Sequence, residues 1–272
     1  MLGFFRKALL GIISVAFLIV SLGPNETTKI KRQIDQSIEN SLETLRYDEL
    51  KLVPGDYHLK ILPSGEIRSK QNIDKMLAET SKKGGKSFTY ISIEHGAYTM
   101  SAQGIDTKQY LVNSYLEGYA PFAVDNVMTP LYALAQRKSY QLDSKQYAGR
   151  VEVWQSSKQA FFYPRGDCED HAIILADWLI EMGEDARVVL GDVKGQGHAW
   201  VILFREGKEY ILEATRKSGL SPKSTYPLAS LHTDYHPKYM FNRDSFWENT
   251  GSKFTTKYSS DKWSKKSVIT QG

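Results

Sequence analysis

The 272-residue chain contains one cysteine, Cys168, which excludes an internal disulfide and any disulfide framework. It has no dense basic patch interleaved with aromatics. The net charge is only +4 and the Lys and Arg residues are scattered, which argues against nucleic acid as a partner. Residues 51–125 contain no repeat and no motif that carries chemistry, only turn signals such as Pro54-Gly55-Asp56 and Pro63-Ser64-Gly65. His58 and His95 have no partner at metal-ligand spacing and read as ordinary residues.

At the N-terminus, Arg6 and Lys7 precede an apolar run from Ala8 to Leu22, short for a span unless Leu2, Phe4 and Phe5 extend it. A poor cleavage signal stands before Pro24. Residues 1–23 are therefore expected to form an uncleaved membrane anchor, with the body exported to the extracytoplasmic (periplasmic) side, or secreted if the segment is cleaved. Residues 24–125 read as an amphipathic helix, with Ile30, Ile34, Ile38, Leu42 and Leu45 on one stripe, followed by an accessory region. Residues 126–250 read as the catalytic domain, and 251–272 as a basic, disordered tail.

Within 126–250, Val127–Gln136 is helix-prone despite Pro130, and Ser156 or Ser157 is placed to cap a short helix ending before Pro164. Asp167 stands where an N-cap is needed for a helix from Cys168 to about Met182, stopped by Gly183. Ala172, Leu175, Ala176, Leu179 and Met182 give it one buried face. A cysteine in the first turn meets unpaired backbone N–H groups and the positive end of the helix dipole, both of which stabilise a thiolate.

Two strands follow, around Ala186–Leu190 and His198–Phe204. Glu206-Gly207 is a hairpin turn leading to Glu209–Ala214. With the turn there, His198 lies near Thr215 and Glu213 opposite Trp200. A register shifted by two pairs His198 directly with Glu213. Either way imidazole and carboxylate share a face within cross-strand reach. A Cys168–His198–Glu213 triad follows if the helix N-terminus packs against this sheet. Cys168 would be the nucleophile, His198 the base and then the acid, and Glu213 its orienter. His171 is a rival base without an evident orienting carboxylate. The Cys168 N–H is a candidate oxyanion donor, with a second from the Trp154-Gln155 region.

These motifs resemble the transglutaminase-like superfamily. Gly166-Asp167-Cys168-Glu169-Asp170-His171-Ala172 is similar to the signature of bacterial transglutaminase-like cysteine peptidases of the LapG type. His198-Ala199-Trp200-Val201, Tyr210–Thr215 and Trp154-Gln155 resemble its other conserved segments. Glu213 stands where Asp is commoner, and His171 replaces an aromatic residue. The resemblance implies an α+β, papain-like or transglutaminase-like core, in which a nucleophile helix packs on an antiparallel sheet; the N-terminal segment read above adds an N-terminal membrane helix. It implies thioester-mediated acyl transfer on protein or peptide amides. Hydrolysis is favoured over protein-glutamine transamidation, and a membrane-anchored non-catalytic scaffold is the remaining alternative. The triad requires no cofactor or metal, but LapG-type proteases bind calcium through acids around the cysteine, which Asp167, Glu169 and Asp170 echo.

Overall fold

The computed structural model describes residues 50, 53, 55–82, 89–92, 97–220 and 226–272. The expected anchor over 1–23 and amphipathic helix over 25–50 lie outside them, Leu50 excepted. Among the described residues no helix is long and apolar enough to cross a membrane.

In chain order the elements are β1 (Tyr57–Ile61), β2 (Ile67–Ser69), α1 (Lys70–Lys82), β3 (Thr89–Ser92), β4 (Ala97–Gly104), β5 (Gln109–Leu111), α2 (Met128–Arg137), β6 (Ser139–Tyr140), α3 (Asp143–Gln146) and β7 (Val153–Trp154). Then come α4 (Ser157–Phe162), β8 (Arg165–Gly166), α5 (Cys168–Glu181), β9 (Asp185–Val193), β10 (Gln196–Arg205), β11 (Lys208–Leu212), β12 (Tyr235–Phe241), β13 (Ser245–Asn249) and β14 (Trp263–Gln271). Eight strands form one antiparallel sheet in the order β11-β10-β9-β12-β13-β14-β1-β2. Strands β3, β4 and β5 form a smaller sheet with β7 parallel to β4, and β6 pairs with β8.

Helix α5 packs on β9 and β10 of the large sheet, with α2 and α4 on its other sides. That enclosure buries every residue from Glu169 to Leu179. The single apolar stripe expected from the spacing is thus only part of the buried surface. Ile173, Ile174 and Trp178 are buried as well, so α5 is a central helix. Pro130 sits in the first turn of α2, where a missing N–H breaks no helical hydrogen bond. Ser156, rather than Ser157, caps α4, in a reciprocal capping box with Gln159.

The large sheet is covered on both faces. Val188, Leu190, Ala199, Val201 and Leu203 join the core around α5, while Val189, Trp200, Ile202, Met240, Trp247 and Trp263 form a second core on the other side. This accounts for the nearly unbroken apolar run of β10, because both alternating sets are buried. Gly191 is required where β9 meets a bulge in β12: a Cβ there would lie 2.2 Å from the His236 carbonyl oxygen and 2.8 Å from the Trp200 ring.

The domain limits drawn from composition do not coincide with those of the fold. The tail 251–272, expected to be disordered, contains β14, an inner strand paired with β13 and β1. Its lysines occupy partly or fully exposed positions, while Trp263, Ser267 and Ile269 are buried, so alternation outweighs the polar composition. Through β1 and β2 the accessory region extends the same sheet. Tyr239–Phe241 and Phe246-Trp247 belong to β12 and β13.

Candidate active site

Helix α5 begins at Cys168 with Asp167 in extended backbone conformation at the N-cap and Gly183, at φ +87°, beyond its end. Asp167 holds the cap position, but its side chain makes no capping hydrogen bond. Its carbonyl oxygen instead accepts the backbone N–H of His171 at 3.3 Å and the His171 Nδ1–H at 2.6 Å. Cys168 is half-buried, and its Sγ lies 3.4 Å from Glu169 Oε2.

The hairpin positions the candidate base, His198. Glu206 and Gly207 have φ of +53° and +70°, the signs of a type I′ turn. The paired register runs from Arg205↔Lys208 to Val201↔Leu212. Continued by three residues it sets Glu213 opposite Trp200 and His198 opposite Thr215, the first of the two registers expected. Alternation keeps His198 and Glu213 on the Trp200 face. His198 stacks on Trp200 with ring centroids 6.3 Å apart. Its Nε2–H donates to Glu213 Oε2 at 2.8 Å. Nδ1 is the nitrogen not bound to Glu213, and Cys168 lies close enough to act on the charge of the ring.

Burial by itself would lower the His198 pKa. The hydrogen bonds to Cys168 and Glu213, with their charges, outweigh it and raise the value from 6.5 to about 10. Burial would raise the Glu213 pKa, but the bonds from His198 and Thr215 bring it down to about 2. Four donors converge on this carboxylate. The Thr215 N–H (3.0 Å) and hydroxyl (2.5 Å) reach Oε1, while Tyr235 OH (2.9 Å) shares Oε2 with His198.

These shifts predict a pH signature. The His198 contribution to stability is complete below 6.5 and is lost as pH rises towards 10. The Glu213 contribution is complete above 4.5 and is lost as pH falls towards 2. Glu213→Gln should therefore destabilise the protein most between pH 4.5 and 6.5, and progressively less above and below. Urea unfolding of parent and variant across that range checks it. A difference independent of pH would mean that the pair is not ionic.

His171 is placed differently from His198. It is fully buried, and its pKa is pushed down to about 3, by burial first and then by Lys138 and Lys217. Its ring is held by the Asp167 carbonyl and stacks against Tyr140. Of the Trp154-Gln155 region expected to hold a second oxyanion donor, Gln155 is otherwise engaged. The Gln155 backbone N–H donates to Asp170 Oδ1 at 2.8 Å, and Nε2 donates to Tyr147 OH at 2.9 Å and the Arg165 carbonyl at 3.0 Å.

Beside Cys168 the acids form a buried cluster. Asp143, Asp167 and Glu169 bring carboxylate oxygens within 4.8 Å of one another. Among the described residues, Asp143 Oδ1, Asp167 Oδ1, Glu169 Oε1 and Asp170 Oδ2 are buried without a hydrogen-bond partner. Burial raises all four pKa values, that of Asp143 to about 7, and repulsion from neighbouring carboxylates adds to the rise of Asp143, Glu169 and Asp170. Gly166 makes room for this packing, since a Cβ there would lie 2.4 Å from Asp170 Oδ2. Buried Lys138 is close enough for its charge to act on Asp167 and Asp170, but its Nζ is taken by Gln155 Oε1 (3.3 Å) and the carbonyls of Tyr163 (3.1 Å) and Arg165 (3.2 Å). Buried carboxylate oxygens with no protein partner fit a calcium ion, which takes six to eight oxygens. Asp143, which was not anticipated, joins Asp167 and Glu169 as the compact set, with Asp170 beside it.

Residues 152–267, which include Cys168, His198 and Glu213, match the family model described as the CEP76 peptidase-like domain. The chain is similar to a peptidase-like domain. Centrosomal protein of 76 kDa from Mus musculus is 34% identical over 99 residues, 30% of this chain, and the chain spans 15% of that relative's length. The chain is also similar in structure to Legionella pneumophila LapG, at 22% identity and TM-score 0.38, over 47% of this chain and 68% of LapG. For calcium-bound LapG the identity and TM-score are the same, over 51% and 75%.

Proposed function

We propose that this protein is a transglutaminase-like cysteine peptidase, acting on protein or peptide amides through a Cys168 thioester. The observation that carries the reading is the imidazole of His198, bound to Glu213 by Nε2 at 2.8 Å, with Cys168 close enough to act on its charge. In the reaction His198 takes the Cys168 thiol proton, and the sulfur adds to the amide carbonyl carbon. Collapse of the tetrahedral adduct breaks the C–N bond, and the leaving amine takes the proton from the imidazolium. His198 then deprotonates a water, which attacks the thioester and releases the acid and the free thiol. Glu213, gripped by Thr215 and Tyr235, stays ionised and fixes the ring direction throughout. An amine in place of water would give transamidation with the same groups.

Asp143, Asp167 and Glu169 are the residues that would hold a calcium ion, with Asp170 adjacent. A bound divalent cation supplies positive charge that keeps these acids ionised without opposing a thiolate at Cys168. The chain's own part is to bring the four carboxylates together from α3, the α5 N-cap and the first turn of α5.

The test is turnover of a proteome-derived peptide library, with and without calcium, by the full chain and by Cys168→Ala. New peptide N-termini that depend on Cys168 support peptidase action. Ammonia release with cross-linked Gln–amine products would move the assignment to transamidation. Neither product from the folded parent protein would leave the scaffold alternative.

A further inference from the structure

Where the end of β9 meets β12 and β13 the surface opens into a cleft of about 720 Å³. Buried Pro237 and partly buried Tyr239 and Asn249 line its floor, and exposed Lys194, Lys238 and Lys253 its rim. Two acids in the lining are already matched. Asp192 Oδ2 pairs with Lys238 Nζ at 2.6 Å, and Glu248 Oε2 with Lys266 Nζ at 2.9 Å. Lys194 and Lys253 have no carboxylate partner among the described residues, and Lys253 Nζ lies over the Phe254 ring. A concave wall with surplus charge of one sign concentrates its field on whatever enters.

The fold sets this cleft beside the candidate triad. Helix α5 ends at Glu181, the chain turns at Gly183, and β9 starts at Asp185, so α5 runs back along the strand on which it packs. The helix covers about 20 Å, the same length as β9 from Asp185 to Gly191, which brings Cys168 level with Gly191. Gly191 pairs with His198 on one side and with Pro237 on the other. Two strand spacings, about 10 Å, therefore separate the His198 backbone from the floor of the cleft. Tyr239 packs on the core around α5, so the cleft reaches the face of the sheet that carries Cys168.

We propose that this cleft is a subsite for acidic side chains of the peptide substrate, about three residues from the amide attacked by Cys168, a role that rests on the acyl-transfer reading above. An extended peptide advances about 3.3 Å per residue, so three residues span the 10 Å from the triad. Asp or Glu side chains supply the counter-charge that Lys194 and Lys253 lack. The cleft is large enough for a short stretch of peptide rather than a single small ion.

The first measurement needs no turnover. A fluorescein-labelled peptide of Glu and Gly, and a matched one of Gln and Gly, are titrated against the full-length Cys168→Ala protein by fluorescence anisotropy. The acidic peptide should bind more tightly, and less so at high salt. Adding Lys194→Gln and Lys253→Gln should weaken its binding about tenfold, the worth of two exposed ion pairs, and Lys194→Arg with Lys253→Arg should restore it. Equal affinity with and without the two lysines, or no preference for the acidic peptide, would overturn the proposal. The second measurement maps cleavage sites in a peptide library. The parent should favour sites with Asp or Glu about three residues from the cut, and the double Gln variant should still cleave but lose that preference. Cleavage by the parent without the preference overturns the subsite while sustaining the peptidase. No cleavage counts against the peptidase reading, and the anisotropy titration then decides on the cleft.

Discussion

Replacing His198 with alanine is expected to slow alkylation of Cys168 at neutral pH by about 10²–10⁴-fold, the usual worth of a positioned general base. His171→Ala should keep most of the parent rate. Both histidines lie near the cysteine, but their surroundings differ. Glu213 holds one nitrogen of His198, and its hydrogen bonds and charge raise the pKa to about 10 despite burial, so the ring readily holds the thiol proton as imidazolium. His171 has its Nδ1 on a backbone carbonyl and its pKa pushed down to about 3, so it is a poor acceptor for that proton at neutral pH. Alkylation rates with iodoacetamide, with folding checked by circular dichroism, separate the two. A slow His171→Ala with His198→Ala reacting like the parent would remove the strand-borne histidine from the mechanism.

The second large effect concerns calcium. Added to metal-free protein at about a hundred times its dissociation constant, it should stabilise the fold by about 3 kcal/mol. For a chain of this size that corresponds to a rise of about 5–10 °C in Tm. The cause is the set of buried carboxylate oxygens on Asp143, Asp167, Glu169 and Asp170 that have no partner. Asp143→Asn combined with Glu169→Gln should abolish most of the rise and raise the Tm of the metal-free protein, because it removes repulsion between buried acids. Differential scanning calorimetry with calcium or EGTA reads both. A calcium effect unchanged in the double variant would place any bound ion elsewhere.

The site could be read from the sequence where local rules decide geometry. The two-residue turn at Glu206-Gly207 fixes the register of β10 and β11, and period two then puts His198 and Glu213 on one face. The start of α5 followed from Asp167 and its end from Gly183. What was hidden comes from far along the chain. Tyr235 reaches Glu213 only because β12 pairs with β9, and Asp143 joins Asp167 and Glu169 only because α3 packs against β8. No periodicity in the sequence encodes those pairings. A second oxyanion donor was expected from the Trp154-Gln155 region, and within it the donors of Gln155 are spent on Asp170, Tyr147 and Arg165. Strand β14 was missed because Lys and Ser dominate its composition, although Trp263 and Ile269 alternate into the cores.

The most direct test of the central claim is to trap the acyl group. The full-length protein is mixed with an activated acyl donor such as a p-nitrophenyl ester, quenched in acid within one turnover, and its peptides are mapped by mass spectrometry. The account predicts one acyl group on Cys168, formed much more slowly in His198→Ala and lost on neutral incubation as water resolves the thioester. An acyl group found on another residue, or on Cys168 at the same rate without His198, would contradict it.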